Sequence, residues 1–588
     1  MIDFDFKTER IPEKLKTLQS QNSRLSIFRL LTFFGTAALF VLGLAENPFW
    51  LLPAFLALGG FIKLIQKTNA LKDQERIYLA LEEMIKNQEL RLSRNLATLD
   101  PGVEFSDKNH PFSGDLDLFG AHSLFQLLNH TTSKNGKRRL ANLMMSSFDP
   151  ETSQSRAAAV AELSKKRSFL DSVEAVGLAF QKEEKAPESW IHWLEEKEKS
   201  SVLISVLAFL GPLGGMVILA LVYFGLLPQV VLGLWVLVGV AFLSRVFIPL
   251  KKAAESIPTA ATLKSYRIRA QQIENEEFNS PSLLLEKENF GSAQLAASRQ
   301  LSELDRLGLW AQNRLNLLYL PINLLFWTDF LLFIRLANWK RKVGPSLSHL
   351  PENLEKWEVW VSLGAFEGQL EGKGKVEWTQ EVLLAAKELS HPLISPGKAI
   401  PNSIDFDSAT RLVILTGANM SGKTTFMRTL GINCVLANLG LSPFGASLTL
   451  GPVQLYTSMR NSDNLGESVS SFYAELSRIH NLIERLESGE PLFFLLDEIL
   501  KGTNTQDRIS GSEALIHQIL HTKGFGIIST HDIELSELEK SVEKVHNFSF
   551  HSEILDKSID FDYKIKNGPC PSFNAHKLME LMGIRFQK

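Results

Sequence analysis

The chain contains little cysteine. Only Cys434 and Cys570 occur in 588 residues, and they lie far apart without the short spacing that metal ligands use. The sequence therefore predicts neither a disulfide framework nor a cysteine-based zinc site. Two isolated thiols favour a reducing compartment, with both side chains buried as small apolar groups.

An excess of charge of either sign is also missing. The chain has 62 Lys and Arg residues against 65 Asp and Glu residues, a formal net charge of -3. Composition therefore gives no general electrostatic reason to bind nucleic acid, although a local basic face is not excluded. At this length the chain exceeds what one hydrophobic core supports, so several domains are expected.

Charged residues are absent from the whole stretch 201–244. Two membrane-spanning helices of about 20 residues each explain such a run better than a buried hairpin of a soluble domain does. A proline-containing turn (GLLPQ) divides the run, which predicts spans at about 202–225 and 229–248. A second pair of spans is predicted near the N-terminus, at about 27–45 and 48–65.

Basic residues flank the predicted spans on one side only. They precede the first span and follow the second and fourth, and neither turn within a pair carries a Lys or Arg. By the positive-inside rule, both termini and all large segments are expected in the cytoplasm, with the spans in the inner (cytoplasmic) membrane.

The apolar stretch 315–336 is ambiguous. It contains two asparagines together with Asp329 and Arg335, and Pro321 interrupts it. Polar groups of this kind are costly in lipid, so a core helix of a soluble domain is favoured over a fifth span.

Residues 417–424 (GANMSGKT) match the phosphate-binding pattern GxxxxGK[ST], and they directly follow an apolar strand pattern (TRLVILT). Gly417 and Gly422 permit the backbone to approach phosphates, which the following helix attracts with its positive end. Lys423 is expected to reach the β- and γ-phosphates of ATP, and the Thr424 hydroxyl to hold Mg²⁺. The expected nucleotide-binding residues form one run: Gly417, Ala418, Asn419, Met420, Ser421, Gly422, Lys423, Thr424 and Thr425.

Two further buried-strand patterns end in ionisable residues. The segment PLFFLLDEI ends with Asp497, expected to bind Mg²⁺ together with Thr424, and with Glu498, expected to polarise the attacking water. The segment FGIISTH ends with His531, expected to sense the γ-phosphate. Three strand-end motifs in this order predict an ATPase.

These motifs together resemble the MutS family of mismatch-repair ATPases. Residues 417–425 (GANMSGKTT) are similar to the family's GPNMGGKST, and 496–505 (LDEILKGTNT) to its LDEIGRGTST. Residues 470–476 (SSFYAEL) resemble the STFMVEM signature, and a weaker similarity to the family's helical core covers 123–163. The resemblance implies a homodimer in which Ser470 contacts the γ-phosphate bound by the partner subunit, and it makes DNA a possible ligand.

The sequence also departs from the family. The segments before the first apolar run and between the second run and the helical core are too short for the family's mismatch-reading domain. Recognition of mismatched bases is therefore not expected.

The predicted architecture is multi-domain: an α/β P-loop NTPase domain of the ABC and MutS type follows an all-α core with two transmembrane helical hairpins. Glu358–Val361 and Gly368–Val376 resemble short strand and turn pieces. Four segments result: 1–70 with the first hairpin, 71–345 as a helical core interrupted by the second, 346–400 as connecting strands, and 401–588 as the ATPase domain.

Two other functions fit part of the pattern. An ABC-type transporter also joins spans to such an ATPase, but the chain has four predicted spans and lacks an LSGGQ signature. A scaffold with a degenerate nucleotide site is disfavoured by intact Lys423, Thr424, Asp497 and Glu498.

Overall fold

The computed structural model describes residues 10–180, 187–196, 201–291, 295–316, 319–459, 471–555 and 558–571. The first part of the chain is helical: α1 Ile11–Ala45, α2 Leu51–Ser93, α3 Leu124–Leu128, α4 Lys134–Met144, α5 Pro150–Leu163, α6 Arg167–Phe180, α7 Pro187–Glu195, α8 Val202–Tyr223, α9 Val230–Ser256, α10 Ala260–Asn275, α11 Pro281–Glu288, α12 Ala297–Gln312, α13 Tyr319–Phe326, α14 Thr328–Leu347 and α15 Leu350–Gln369.

The rest of the chain alternates strands and helices. The strands are β1 Lys375–Trp378, β2 Leu384–Leu389, β3 Asn402–Phe406, β4 Leu412–Gly417, β5 Ser447–Leu450, β6 Gln454–Ser458, β7 Leu492–Asp497, β8 Phe525–Thr530, β9 Val545–Leu555 and β10 Ser558–Asn567. The helices are α16 Lys423–Asn438, α17 Ser471–Glu487, α18 Thr505–Leu520 and α19 Leu538–Ser541.

The chain divides into two compact units. The first comprises residues 1–85, 131–136 and 166–361, and the second comprises 86–130, 137–165 and 362–588. The predicted multi-domain organisation is confirmed at this level, and helices predominate in the first part of the chain as expected.

In the first unit, the ends of the N-terminal helices form a small core. Ile11 and Leu15 of α1 belong to one buried cluster with Tyr78 of α2 and Phe180 of α6. A buried carboxylate organises a second region: Glu358 accepts hydrogen bonds from Thr132 and Ser133, at 2.8–3.2 Å, and from Arg269 at 2.6 Å. A buried charge is tolerated when it is paired and fully hydrogen-bonded in this way.

Four helices of the described chain are long and apolar enough to cross a membrane, judged by length and composition. They correspond in position to the four predicted spans: Ile11–Ala45, Pro48–Ser93 (a 3₁₀ turn followed by α2), Val202–Tyr223 and Val230–Ser256. Of these helices, α1, α2 and α9 extend well beyond the predicted bounds. Their outward side chains are mainly apolar, as Phe55 of α2 and Leu237 of α9 illustrate, with 61% and 67% of their surface exposed.

The expectation of one core helix over 315–336 is wrong. The stretch contains the short helix α13 and the start of α14, bent by 88° at Trp327. Pro321 does not cause the break, because it lies in the first turn of α13, where a missing N–H costs little. Counting this bent pair as one span would give five.

The expectation of connecting strands over 346–400 is wrong for its first part. Glu358–Val361 lies inside helix α15, whose buried positions recur with helical spacing. Strands begin only at β1, Lys375–Trp378. Short β-branched and aromatic runs occur in buried helices as well as in strands, so local composition misled the prediction.

The second unit holds two sheets. One has the strand order β1-β5-β2-β3, and the other has the order β10-β9-β4-β8-β7-β6. In the larger sheet all neighbours are parallel except β10 and β9. Strands β4 and β8 are buried along their whole length, as expected for parallel strands covered on both faces. Parallel strands end at one edge, so this sheet brings the ends of β4, β7 and β8 together.

Candidate nucleotide site

The glycine-rich turn joins β4 directly to α16, so the strand and helix predicted on either side of it are confirmed. Gly417 has φ 152° and Gly422 has φ 108°, conformations that side-chain-bearing residues rarely adopt. A Cβ at Gly417 would lie 2.8 Å from the Phe550 carbonyl oxygen, so glycine is also required sterically. Met420 is left-handed too, with φ 68°, and 84% of its surface is exposed.

Lys423 begins α16 and folds back over the turn. Its ammonium donates hydrogen bonds to the carbonyl oxygens of Gly417, at 2.8 Å, and Ala418, at 3.3 Å. The side chain is buried, and burial lowers its pKa. Nearby Ser421 is also buried, and its hydroxyl has no hydrogen-bond partner among the described residues. Asn419 and Thr425 lie on the exposed side of the turn and helix.

Thr424 and Asp497 meet across the edge of the sheet. The Thr424 hydroxyl donates to Asp497 Oδ2 at 2.6 Å, and the Ser529 hydroxyl donates to the other carboxylate oxygen. The strand order explains this contact, because β8 lies between β4 and β7 and pairs Ser529 with Asp497. The two residues predicted to share Mg²⁺ are therefore adjacent although 73 positions separate them.

Glu498 follows Asp497, and each of its two carboxylate oxygens contacts a different side chain. Its Oε1 lies 2.7 Å from His531 Nε2, and its Oε2 forms an ion pair with Lys501. The pKa of Glu498 is lowered to about 2, chiefly by the His531 hydrogen bond and also by Lys501, against the opposing effect of burial. The carboxyl group is thus a carboxylate across the physiological range, as a general base requires.

A cavity of about 180 Å³ lies next to the turn, at the start of α16. It is lined by Gly422, Thr425 and Phe426 at the start of α16, and by residues of other segments: His391, Ile394, Lys398, Ala399, Ile400, Asn402, Thr429, Phe550 and Tyr563. Burial lowers the pKa of His391 to about 4, so its imidazole is neutral at physiological pH. The cavity joins an apolar wall to a few polar groups, the usual composition of a small-molecule site.

Sequence reasoning missed two residues of this region. Glu475 of α17 accepts a hydrogen bond from the Leu500 backbone N–H, and burial raises its pKa. Glu498 and Leu500 have φ 51° and 60°, a left-handed conformation that costs non-glycine residues energy. Glu475 thus stabilises a strained loop. Lys501 is the second missed residue. In the sequence it stands out only as one position of the motif 496–505, which assigns it no role.

Ser470, predicted to act across a dimer, lies outside the described residues.

The residues present fit a nucleoside triphosphate with Mg²⁺. Among the described residues, no group of three or more His, Cys, Asp or Glu side chains is placed to hold a metal ion. Thr424 and Asp497 offer two oxygen ligands, which suits Mg²⁺ because it completes its shell with water and phosphate oxygens. Backbone N–H groups at the start of α16 and the Lys423 ammonium offer the donors that phosphate needs.

Known proteins share this part of the chain. A family model of MutS domain V matches residues 413–584. The DNA mismatch repair protein MutS of Thermotoga sp. (strain RQ2) is 30% identical over 257 residues, which are 43% of this chain and 32% of that protein. The protein of the same name from Fusobacterium nucleatum subsp. nucleatum is 32% identical over 209 residues, 34% of this chain and 23% of that protein.

A similarity of greater length involves the DNA mismatch repair protein MutS of Lactobacillus acidophilus. It is 26% identical over 307 residues, 51% of this chain and 34% of that protein. The chain therefore spans about a third, or less, of the length of the curated relatives it matches.

Proposed function

Because this chain is a MutS-family protein, we propose that it is an ATPase which binds ATP and Mg²⁺ at the turn 417–424. One observation carries the proposal: Thr424 lies 2.6 Å from Asp497, and Glu498 lies 2.7 Å from His531, at neighbouring strand ends beside the turn. A phosphate-binding turn, a metal-binding pair and an ionised base in one place are what phosphoryl transfer to water needs.

Each side chain has a role in this proposal. When ATP binds, Lys423 exchanges its hydrogen bonds to the carbonyl oxygens of the turn for contacts with the β- and γ-phosphates, whose charge it neutralises. Thr424 and Asp497 hold Mg²⁺, which when bound supplies charge neutralisation at the transferring phosphoryl group. Glu498 accepts a proton from the attacking water. His531 orients Glu498 through their hydrogen bond and faces the γ-phosphate.

The cavity beside the turn is proposed to hold the base of the nucleotide. It begins at Gly422 and Thr425, so a nucleotide whose phosphates lie in the turn reaches it directly. Neutral His391 offers a hydrogen bond, while Phe550 and Tyr563 offer aromatic surface. A purine nucleoside triphosphate should therefore bind more tightly than inorganic triphosphate, which has no base to contact the polar groups and the apolar wall of the cavity.

The active form is proposed to be a homodimer with two composite sites. Ser470 would contact the γ-phosphate bound by the partner, and ATP would hold the two subunits together. Mixing Ser470→Ala subunits with Glu498→Gln subunits tests this arrangement. If Ser470 acts in trans, one site of the mixed dimer is intact and hydrolysis returns. Mixed dimers no more active than their parents would refute the trans arrangement.

We propose that the four apolar helices anchor the ATPase to the inner face of the cytoplasmic membrane. The support is their length, their composition and the basic residues at one end of each pair. Externally added thiol reagent should label cysteines introduced at Asn47 and Pro228, but not at Asn135. External labelling at Asn135 would overturn this topology.

DNA is proposed as a ligand by family membership, without preference for mismatched bases. The test is ATP hydrolysis and DNA binding by the detergent-purified protein, with perfect, branched and mismatched duplexes, and with Lys423→Ala as the inactive control. Binding should fall steeply with salt, as phosphate-driven binding does. A tenfold mismatch preference, about 1.4 kcal/mol, would refute the absence of mismatch reading. An absence of hydrolysis under every condition would favour a scaffold instead.

A further inference from the structure

The bend between α13 and α14 is an unusual feature of the first unit. The two helices meet at 88°, and Trp327 joins them in a left-handed conformation with φ 51°. Only 1% of the Trp327 surface is exposed. A large residue rarely adopts this conformation unless the surrounding packing imposes it.

The packing that imposes the bend comes from α8 and α9. Gly211 of α8 lies so close to the bend that an added Cβ would be 2.6 Å from the Trp327 Cβ, and Gly215 leaves similarly little room beside Leu325. Gly239 of α9 faces the Trp327 indole, where a Cβ would collide with Nε1. Glycines on both helices thus form a recess that receives the bend.

Aromatic stacking and a hydrogen bond hold the bend in this recess. The rings of Trp235 and Trp327 stack with centroids 4.2 Å apart and planes 10° apart. The Trp235 indole N–H donates to the Leu325 carbonyl oxygen at 2.8 Å. At the start of α14, the Asp329 N–H donates to the Asn323 side chain at 2.9 Å. The Leu325 carbonyl and the Asp329 N–H, two backbone groups at the bend, therefore have partners inside the protein, as irregular backbone inside a bilayer requires. The Trp327 indole N–H has no hydrogen-bond partner among the described residues.

The recess lies near the middle of α8 and about a third of the way along α9. At 1.5 Å per residue, Gly211 lies about 14 Å from the start of α8 at Val202, and Gly239 about 14 Å from the start of α9 at Val230. The hydrocarbon layer of a bilayer is about 30 Å thick. If α8 and α9 cross it, the bend lies well inside the hydrocarbon.

The charge beside the bend is paired and buried: Asp329, two residues after Trp327, meets Arg314. Arg314 and Asp329 form a buried bidentate pair, with distances of 2.9 and 2.5 Å. The Arg314 guanidinium lies 5.5 Å from the ring centre of Phe247, which is near the basic end of α9. The outward face of α13, by contrast, is apolar: Leu320 and Ile322 are 48% and 49% exposed. This face continues the exposed apolar surface of α8 and α9, against which α13 packs.

We propose that α13 and the start of α14 form a re-entrant segment, which enters the bilayer beside α8 and α9, turns at Trp327 and returns to the same side. Its outward face contacts lipid acyl chains through Leu320 and Ile322. The proposal rests on the proposed membrane insertion of α8 and α9. It leaves the number of complete crossings at four, so the ATPase domain stays on the side of the N-terminus.

Site-directed spin labelling of the full chain in lipid nanodiscs tests the segment. A nitroxide is attached to Ile322→Cys, and its collisions with oxygen, which concentrates in lipid, are compared with those of a water-soluble nickel chelate. The matched control is Leu309→Cys on the charged helix α12, since Leu309 is similarly exposed at 44%. Leu237→Cys, on the outward face of α9, reports whether the second hairpin is in lipid. The two natural cysteines are buried, so labelling is selective.

The expected ratio of oxygen to nickel collisions at Ile322→Cys is several-fold higher than at Leu309→Cys and close to that at Leu237→Cys. Leu320→Cys should repeat the result and guards against a local effect of one label. A ratio at both α13 positions equal to that at Leu309→Cys, with Leu237→Cys still in lipid, would overturn the re-entrant segment alone. A low ratio at Leu237→Cys as well would overturn the membrane insertion on which it rests.

Discussion

The nucleotide turn and the helix bend both interrupt regular backbone, but different residues make the two breaks and different surroundings enclose them. The turn uses Gly417 and Gly422, and it leaves the Ser421 hydroxyl without a partner among the described residues. The bend uses Trp327, which glycines of α8 and α9 enclose, and the Leu325 carbonyl beside it accepts a hydrogen bond from Trp235. The Trp327 indole N–H, like the Ser421 hydroxyl, has no partner among the described residues. A glycine turn leaves room for a ligand, whereas a bend enclosed by apolar helices is filled by the protein's own side chains.

The two breaks should respond differently to substitution. At the turn, a change of one functional group should abolish chemistry and leave the fold intact. At the bend, one added methyl group should weaken the fold and leave the chemistry intact. The four predictions below test this contrast, from the largest expected effect to the smallest.

Glu498→Gln should give the largest effect. The amide keeps the size of the side chain and removes the carboxylate that accepts the proton, so ATP binding should persist while hydrolysis falls by roughly 10²-fold or more. Measurements of kcat and of nucleotide affinity by titration check this, with Glu513→Gln on the exposed face of α18 as the control. Near-normal turnover in Glu498→Gln would remove Glu498 from the proposed mechanism.

His391 should make stability depend on pH. Its folded pKa of about 4 lies below the usual value of about 6.5, so the unfolded chain binds the extra proton between these values and stability falls as the solution becomes more acidic. Between pH 7 and pH 5 the loss should be about 2 kcal/mol from this residue.

Urea unfolding at the two pH values measures the effect. His391→Asn should lose this part of the pH dependence, because asparagine does not titrate. His480→Asn is the matched control, since the His480 side chain is 69% exposed and should leave the slope as in the wild type. An unchanged slope in His391→Asn would contradict the burial of a neutral imidazole.

Gly239→Ala should destabilise the bend by about 1–3 kcal/mol, because the new methyl group collides with the Trp327 indole. Gly233→Ala on the same helix is the control: no atom lies within 4 Å of its added Cβ. There alanine should leave stability unchanged or raise it by about 0.5–1 kcal/mol. Thermal unfolding in detergent should separate the two, while ATP hydrolysis per folded molecule stays the same. Equal melting temperatures would mean that the recess is not closely packed.

Glu475→Ala should lower kcat about tenfold, a change of about 1.4 kcal/mol in the barrier, and leave KM for ATP nearly unchanged. The reason is that the loop carrying Glu498 loses the hydrogen bond to the Leu500 N–H. Glu475→Gln keeps a carbonyl acceptor and should recover most of the rate. Glu484→Ala, exposed on the same helix, is the control. A parallel loss in Glu475→Gln would point to the charge rather than the hydrogen bond.

The strand-end site was largely predictable from the sequence. Asp497 and Glu498 follow a run of buried apolar residues, and the carboxyl ends of parallel strands share one edge. What sequence reasoning missed was the support of that site. Glu475 belongs to a recognisable motif, but its contact with Leu500 depends on how α17 packs beside the loop. The strand reading of Glu358–Val361 failed because a short run of β-branched and aromatic residues fits a helix as well as a strand.

The sequence by itself determined where the proposed nucleotide site lies, because the turn needs particular residues within eight consecutive positions, 417–424, and no distant residue can replace them. It also determined which helices are long and apolar enough to cross a membrane, since length and composition are local properties. Only the tertiary structure decided that Trp327 bends the chain. The glycines that make room for Trp327 lie on α8 and α9, far away in sequence, and a left-handed tryptophan is stable only when such neighbours enclose it.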